Sequence, residues 1–143
     1  MSVSPEKFEV AIPSDTTAAQ QVQERIIGEL EKRKYASRDV FGTRLALEEA
    51  LTNAIRHGNG NDKSLEVLIS CEITDDLLRV EVEDQGPGFK LESVPDPTAD
   101  ENLDLPGGRG VLLMNAYMSR VEYNEKGNRV ILERARTVKT ADS

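Results

Sequence analysis

Tryptophan is absent from the chain, and aromatic residues make up only 4 % of its 143 residues. Serial stacking of bases on aromatic rings, the usual grip on single-stranded nucleic acid, is therefore poorly supplied. A basic surface is lacking as well. Acidic residues number 26 against 18 basic ones, and the formal net charge is −8. A phosphate backbone is repelled by such a chain, which argues against direct nucleic-acid binding. Acidity keeps the chain in solution and suits a basic partner protein better. Cys71 is the only cysteine, which excludes an internal disulfide and leaves no demand for an oxidising compartment. No stretch approaches the roughly 20 apolar residues of a membrane helix. Residues 1–10 carry no apolar run of signal length. These absences make the cytoplasm the expected location, with no membrane contact.

What is present is a succession of short periodic segments, with 38 % hydrophobic residues to supply one core. The length fits a single domain over residues 1–143, with its core at about 7–135 and a polar tail at about 137–143. Residues 7–12 alternate, with Phe8, Val10 and Ile12 on one side, and Pro13 ends this strand. Ser14 or Asp15 caps a helix reaching about residue 34, buried along Val22, Ile26, Ile27 and Leu30. A second helix starts at Ser37 or Arg38, with Val40, Phe41, Leu45, Leu51 and Ile55 as apolar positions. Gly58, Asn59 and Gly60 stop it. Residues 65–73 and 78–83 alternate strictly around Thr74-Asp75-Asp76 and read as a hairpin. Residues 86–108 hold four prolines and few core residues, and long loops of this kind are often functional lids. A helix at about 109–118 and two strands near 120–123 and 129–134 complete the chain, the strands joined by a turn at 124–128. Grouped helices and dominant hairpins predict an α+β fold. We expect a two-layer sandwich with a mostly antiparallel, mixed sheet covered on one face by helices.

Candidate chemistry lies in three places. Residues 48–58 read Glu48-Glu49-Ala50-Leu51-Thr52-Asn53-Ala54-Ile55-Arg56-His57-Gly58. Glu49 and Asn53 are one turn apart and share a helical face, away from Leu47, Leu51 and Ile55. A carboxylate stacked on an amide oxygen suits Mg²⁺, which prefers hard oxygen ligands and usually takes only one or two from protein. The same pair also fits two solvated polar residues on an amphipathic helix. Helical projection puts Glu48 nearer the apolar stripe than Glu49. His57 suits the negative end of the helix dipole, a structural role. Asp84 has the strand parity of Leu78, Val80 and Val82, so it points to the buried face. A buried carboxylate needs a donor, and an adenine amino group is one. The alternative is an aspartate that merely starts the following turn. Gly86 and Gly88 come next and permit close approach of the backbone to a flat ring. Gly107-Gly108-Arg109-Gly110 then opens a helix, whose free N–H groups attract phosphate. This is no P-loop, since no Gly-Lys-Ser or Gly-Lys-Thr follows, and the context of a dinucleotide fingerprint is missing.

In this order the three segments resemble the ATPase superfamily shared by gyrase, the heat-shock chaperone, sensor histidine kinases and mismatch-repair ATPases. Its first box, Glu-x-x-x-Asn-Ala, is matched by Glu49 to Ala54. Its second, Asp-x-Gly-x-Gly, is matched by Asp84, Gly86 and Gly88. Its third, a glycine pair opening a helix after a lid, is matched by Gly108 and Gly110, with the lid at about 90–107. Residues 48–58, the lid's Asp96-Pro97-Thr98 and Glu101-Asn102-Leu103, and the Gly-Gly-Arg-Gly-Val-Leu-Leu-Met run at 107–114 look most like bacterial anti-sigma-factor serine/threonine kinases.

The resemblance implies a Bergerat-type ATP-binding fold with ATP and Mg²⁺ as cofactors. By it, Asn53 holds Mg²⁺ between the nucleotide phosphates, and Glu49 is the general base toward water or a substrate serine. Asp84 accepts from the adenine amino group, Gly86 and Gly88 lie beside the ring, and Gly108, Arg109 and Gly110 meet the phosphates. It further implies two protein partners, a sigma factor and a small anti-sigma antagonist that the kinase phosphorylates on serine. Relatives of this kind are commonly homodimers. Two other functions fit the same boxes. One is a non-catalytic nucleotide-binding module that switches partners. The other is the detached ATPase domain of a two-component kinase, against which the missing phospho-accepting helix argues.

Overall fold

The computed structural model describes residues 4–86 and 114–138. Strand β1 (Glu6–Pro13) leads into helix α1 (Thr16–Lys32) and helix α2 (Ser37–Thr52). Strands β2 (Glu66–Ile73) and β3 (Leu77–Glu83) form a hairpin, and β4 (Arg120–Tyr123) and β5 (Arg129–Ala135) form another. The strand order is β1-β2-β3-β5-β4. All pairings among these strands are antiparallel, so the parallel component expected of a mixed sheet is not found among the described residues. The α+β two-layer arrangement itself is as read from the hairpins and grouped helices. The lid at 90–107 and most of the helix expected at 109–118 lie outside the described residues. Residues 114–117 are helical, in line with that expectation.

Strict alternation places one set of strand residues in the core. Ile12, Val67, Ile69, Cys71, Ile73, Leu78, Val80, Val82, Val130 and Leu132 are buried, beneath Ile26, Ile27 and Leu30 of α1 and Leu47, Ala50 and Leu51 of α2. Cys71 is an apolar filler there, and burial pushes its thiol up to about 12. The opposite face carries a row of alternating charge across all five strands: Lys7, Glu72, Arg79, Glu133 and Arg120 are successive partners in register. Arg79 and Arg120 both approach Glu133, at 3.9 and 3.5 Å. Pairs as exposed as these contribute little to stability. They keep that face polar rather than holding the sheet together.

Helix ends are tied by named side chains. Asp15, not Ser14, caps α1 by accepting from Thr17 N at 2.7 Å. Ser14 is buried and donates to the Leu65 carbonyl at 2.9 Å. The start of α2 is fastened to β5 through Asp39, whose side chain is fully buried. It accepts from Arg134 Nε at 2.8 Å, Thr137 N at 2.9 Å and Thr137 Oγ1 at 2.6 Å. Burial raises the Asp39 pKa, but the hydrogen bonds from Thr137 and Arg134 outweigh it and hold the carboxyl below its ordinary value.

Three expectations for α2 need correction. Phe41 is 57 % exposed, edge-on to Tyr117, and Leu45 is only half-buried. The buried stripe runs instead through Thr43, Leu47, Ala50, Leu51 and Ala54, and both side chains fall outside it at 3.6 residues per turn. Glu48 is exposed and Glu49 is half-buried, the reverse of the projection. A projection counts only the helix's own apolar stripe and not what packs against it. Finally, the helix does not stay α-helical to Gly58. Residues Asn53–Gly58 widen into a π-helical turn, in which Asn59 N donates to Ala54 O at 2.8 Å.

Candidate functional site

The π-helical turn sets the geometry of the site. It carries Asn53 at its start and Gly58 at its end, and it runs on from the α2 turn that holds Glu49. The Asn53 backbone N–H donates back to Glu49 O and Ala50 O, which stacks the two side chains on successive turns as the sequence spacing implies. Both are half-buried and reachable from outside. Isolated π turns are frequent at functional sites, because the extra residue per turn re-aims side chains.

Asp84 lies where β3 ends and is 8 % exposed, as its strand parity implies. Its backbone is clamped to the neighbouring hairpin: Asp84 N donates to Asn128 O at 2.8 Å, and Asn128 Nδ2 donates to Asp84 O at 2.9 Å. Its carboxylate accepts from Gly86 N at 2.9 Å. Burial raises the Asp84 pKa above the ordinary aspartate value, and the Gly86 hydrogen bond offsets this only in part. The carboxylate is therefore held in a place that does not favour its charge.

Two glycines make room for it. A methyl group on Gly58 would overlap the Asp84 carboxylate, and one on Gly86 would overlap the Gly58 carbonyl. The end of the π turn, the Asp84 carboxylate and the turn after β3 are thus in direct contact only because both residues lack a Cβ. Sequence reasoning assigned Gly58 to stopping the helix and missed this second role.

Asn59 was read from the sequence only as part of the helix stop, and it has a further role. It is buried, and its amide bonds three elements: Nδ2 donates to Ser14 Oγ at 2.9 Å and Glu66 O at 3.0 Å, and Oδ1 accepts from Gln85 N at 2.8 Å. It locks the turn after Asp84 onto the helix end. An asparagine between two glycines reads as loop, and only the three-dimensional pairing reveals the hub. Tyr123 of β4 was likewise missed. Burial pushes its hydroxyl up to about 12, the Asn53 side chain acts to lower it, and the Asp84 charge raises it again. The structure thus brings Glu49, Asn53, Asp84, Gly86 and Tyr123 to one end of the sheet. Gly88, Gly108, Arg109 and Gly110 lie outside the described residues. His57 is exposed at the end of the π turn, a position that suits a structural role.

Two helices over one face of an antiparallel sheet, with a buried aspartate facing a helical Glu-x-x-x-Asn, define an ATPase domain of the histidine kinase type. A model of the histidine kinase-like ATPase domain matches residues 12–134, and the chain belongs to that family. Among named relatives it is similar to the serine-protein kinase RsbW of Bacillus velezensis, at 28 % identity over 130 residues covering 85 % of this chain and 80 % of that protein. It is also similar to the anti-sigma F factor of Clostridium perfringens, at 36 % identity over 94 residues covering 62 % of this chain and 67 % of that protein. Among solved structures it resembles that of the RsbU and RsbW domains of a Mycobacterium tuberculosis protein, with a TM-score of 0.61. At 15 % identity that likeness speaks for the fold alone. It covers 92 % of this chain, which spans 32 % of the other, longer polypeptide. The resemblance to anti-sigma-factor kinases read from the sequence is borne out. Among the described residues no helix is long and apolar enough to cross a membrane.

Proposed function

We propose that the chain is an ATP-dependent serine/threonine kinase that also sequesters a sigma factor, and that it phosphorylates a small antagonist protein on serine to control sigma-factor release. The observation that carries this reading is the Asp84 carboxylate, buried between Cβ-less Gly58 and Gly86 beside the helix that presents Glu49 and Asn53. The family and the names of the relatives support the same reading. Asp84 would accept from the adenine amino group, with Gly86 and Gly88 against the ring. Gly108, Arg109 and Gly110 would meet the phosphates at the end of a lid over about 90–107.

The Asn53 side chain fits a magnesium ion, being a neutral, hard oxygen donor on a half-buried helical turn. Magnesium, when bound there, would neutralise phosphate charge, which phosphoryl transfer needs more than covalent help. Glu49, one turn before Asn53, would take the proton from the attacking serine hydroxyl. The whole chain would act as one such domain, in the cytoplasm, without binding nucleic acid directly, and a homodimer suits this reading.

Equilibrium binding tests the nucleotide half of the reading. ATP with Mg²⁺ should raise the melting temperature of the wild-type chain, because a ligand that binds only the native state stabilises it by mass action. At one hundred times Kd the gain is about 2.7 kcal/mol. Asp84→Asn should lose most of that gain, since its amide presents a donor where the adenine also donates. A gain of wild-type size in Asp84→Asn would remove Asp84 from adenine recognition.

A further inference from the structure

The backbone groups of a strand point alternately to its two neighbours. Where β3 ends, Asp84 N turns to Asn128 of the neighbouring hairpin, so Gln85 N faces β2. The register that pairs Leu68 with Glu83 would bring Gln85 opposite Glu66 two residues further on. That pair does not form, although Glu66 belongs to β2 and stays in register with Pro13 of β1. The side chain of Asn59 stands in its place. Oδ1 accepts from Gln85 N at 2.8 Å, and Nδ2 donates to Glu66 O at 3.0 Å. A carboxamide carries the donor and the acceptor of a peptide group, and here it is bonded as one between the two strand ends. Glu66 N, left over by the split, donates to Gln85 Oε1 at 2.6 Å. Nδ2 also donates to Ser14 Oγ at 2.9 Å, and Ser14 donates in turn to Leu65 O at 2.9 Å. Both ends of the Asn59 amide are thus satisfied in a buried place.

We infer that Asn59 is a wedge that parts the ends of β2 and β3, and is thereby the positioning residue for the Asp84 carboxylate in adenine recognition. This rests on the role of Asp84 proposed above and adds a residue to it. With Gln85 N bonded to Glu66 O, the turn after Asp84 would simply continue the hairpin. With Asn59 between them, the turn is handed over to the π turn. There Gly86 lies against the Gly58 carbonyl, and Gly86 N holds the Asp84 carboxylate at 2.9 Å. The wedge is itself anchored, since Asn59 N donates to Ala54 O at 2.8 Å. It follows Gly58 directly, so the wedge and the residue that touches the Asp84 carboxylate are parts of one turn. No close substitute does the same. Aspartate keeps the acceptor and loses both donors, and leucine keeps neither, which strands Gln85 N and Glu66 O.

The test is the preference for ATP over purine riboside triphosphate, which lacks the amino group of adenine. It is measured by titration calorimetry well below the melting temperature of each variant. Wild type should prefer ATP by about 10- to 100-fold, the worth of a hydrogen bond to a charged group. Asn59→Ala should retain a preference of no more than about 3-fold. Gln85→Ala is the milder variant, at an exposed residue, and removes only the bond to Glu66 N. It should lower the preference by about 3-fold. Asp39→Ala, destabilised at the other end of α2, should keep the wild-type preference. A second readout is the backbone ¹⁵N–¹H resonances of the nucleotide-free protein. Those of Gln85 and Gly86 should move in Asn59→Ala, while those of Ile69 and Val80 in mid-sheet stay. A preference of wild-type size in Asn59→Ala overturns the inference, or in Gln85→Ala where Asn59→Ala does not fold. So do unmoved Gln85 and Gly86 amides, or an equal loss in Asp39→Ala, which would make selectivity a matter of stability alone. If wild type itself does not distinguish the two nucleotides, the adenine role of Asp84 falls and takes the inference with it.

Discussion

Asp84 is a residue whose two jobs oppose one another. Its raised pKa means that the native state holds this proton more tightly than the unfolded chain does. The resulting cost is therefore absent below the unfolded aspartate pKa, about 4, and grows as pH rises through the higher native value. Unliganded Asp84→Asn should accordingly be more stable than wild type at neutral pH and lose that advantage near pH 4, as urea unfolding at the two pH values would show. An advantage that persists at low pH would mean that charge burial is not its source. The two adjacent glutamates separate in the same way. Glu49 is half-buried next to Asn53, and Glu48 is exposed. Glu49→Gln should leave ATP affinity nearly intact and slow phosphoryl transfer by about 10²- to 10⁴-fold. Glu48→Gln should change stability by no more than about 0.5 kcal/mol, the range for a surface substitution. Loss of transfer in Glu48→Gln with retention in Glu49→Gln would reassign the base.

At the scale of elements, the junction between the π turn and the turn after β3 depends on two missing methyl groups. Gly58→Ala pushes against a side chain, the Asp84 carboxylate. It should cost about 1–3 kcal/mol and weaken ATP binding at least tenfold, by displacing the acceptor. Gly86→Ala pushes against the backbone carbonyl of Gly58, which does not yield without moving the helix end, so it should be the more destabilising of the two. Thermal melts and ATP titrations of both variants check the order. Elements of this kind were only partly legible in the sequence. The β2–β3 hairpin was, because strict alternation in a half-buried sheet leaves one face per strand. So were the pairing of Glu49 with Asn53 and the inward direction of Asp84, since both follow from local periodicity. The π turn was not, because no residue pattern in 53–58 announces i+5 bonding. Nor were Asn59 and Tyr123, whose roles arise from contacts with residues distant in sequence. Phe41 misled because hydrophobicity alone says nothing of the face on which a residue falls.

Over the whole molecule, the fold closes through Asp39, which fastens the start of α2 to the last strand and the chain beyond it. Its depressed pKa gives a stabilising contribution that is full above the unfolded value of about 4 and is lost as pH falls through the lower native value. Asp39→Ala should cost about 2–4 kcal/mol, since it leaves half-buried Arg134 with only the Tyr117 carbonyl as a partner. That loss is read from urea unfolding, and a loss below about 1 kcal/mol would show that the tie is dispensable. The same sheet separates the site from its open face: one end carries Asp84, Asn53 and Glu49, and the face away from the helices stays polar. The central claim is that this end of the molecule transfers phosphate from ATP to a protein serine. Its most direct test is a single-turnover reaction of labelled ATP and Mg²⁺ with the antagonist protein that co-purifies with the chain, run on wild type and Glu49→Gln, with ATP affinity measured separately on each. The account predicts label on a serine of the partner with wild type, and near-wild-type ATP binding with little or no label for Glu49→Gln. ATP binding without transfer in the wild-type chain would contradict the kinase reading and leave a nucleotide-gated binding module in its place.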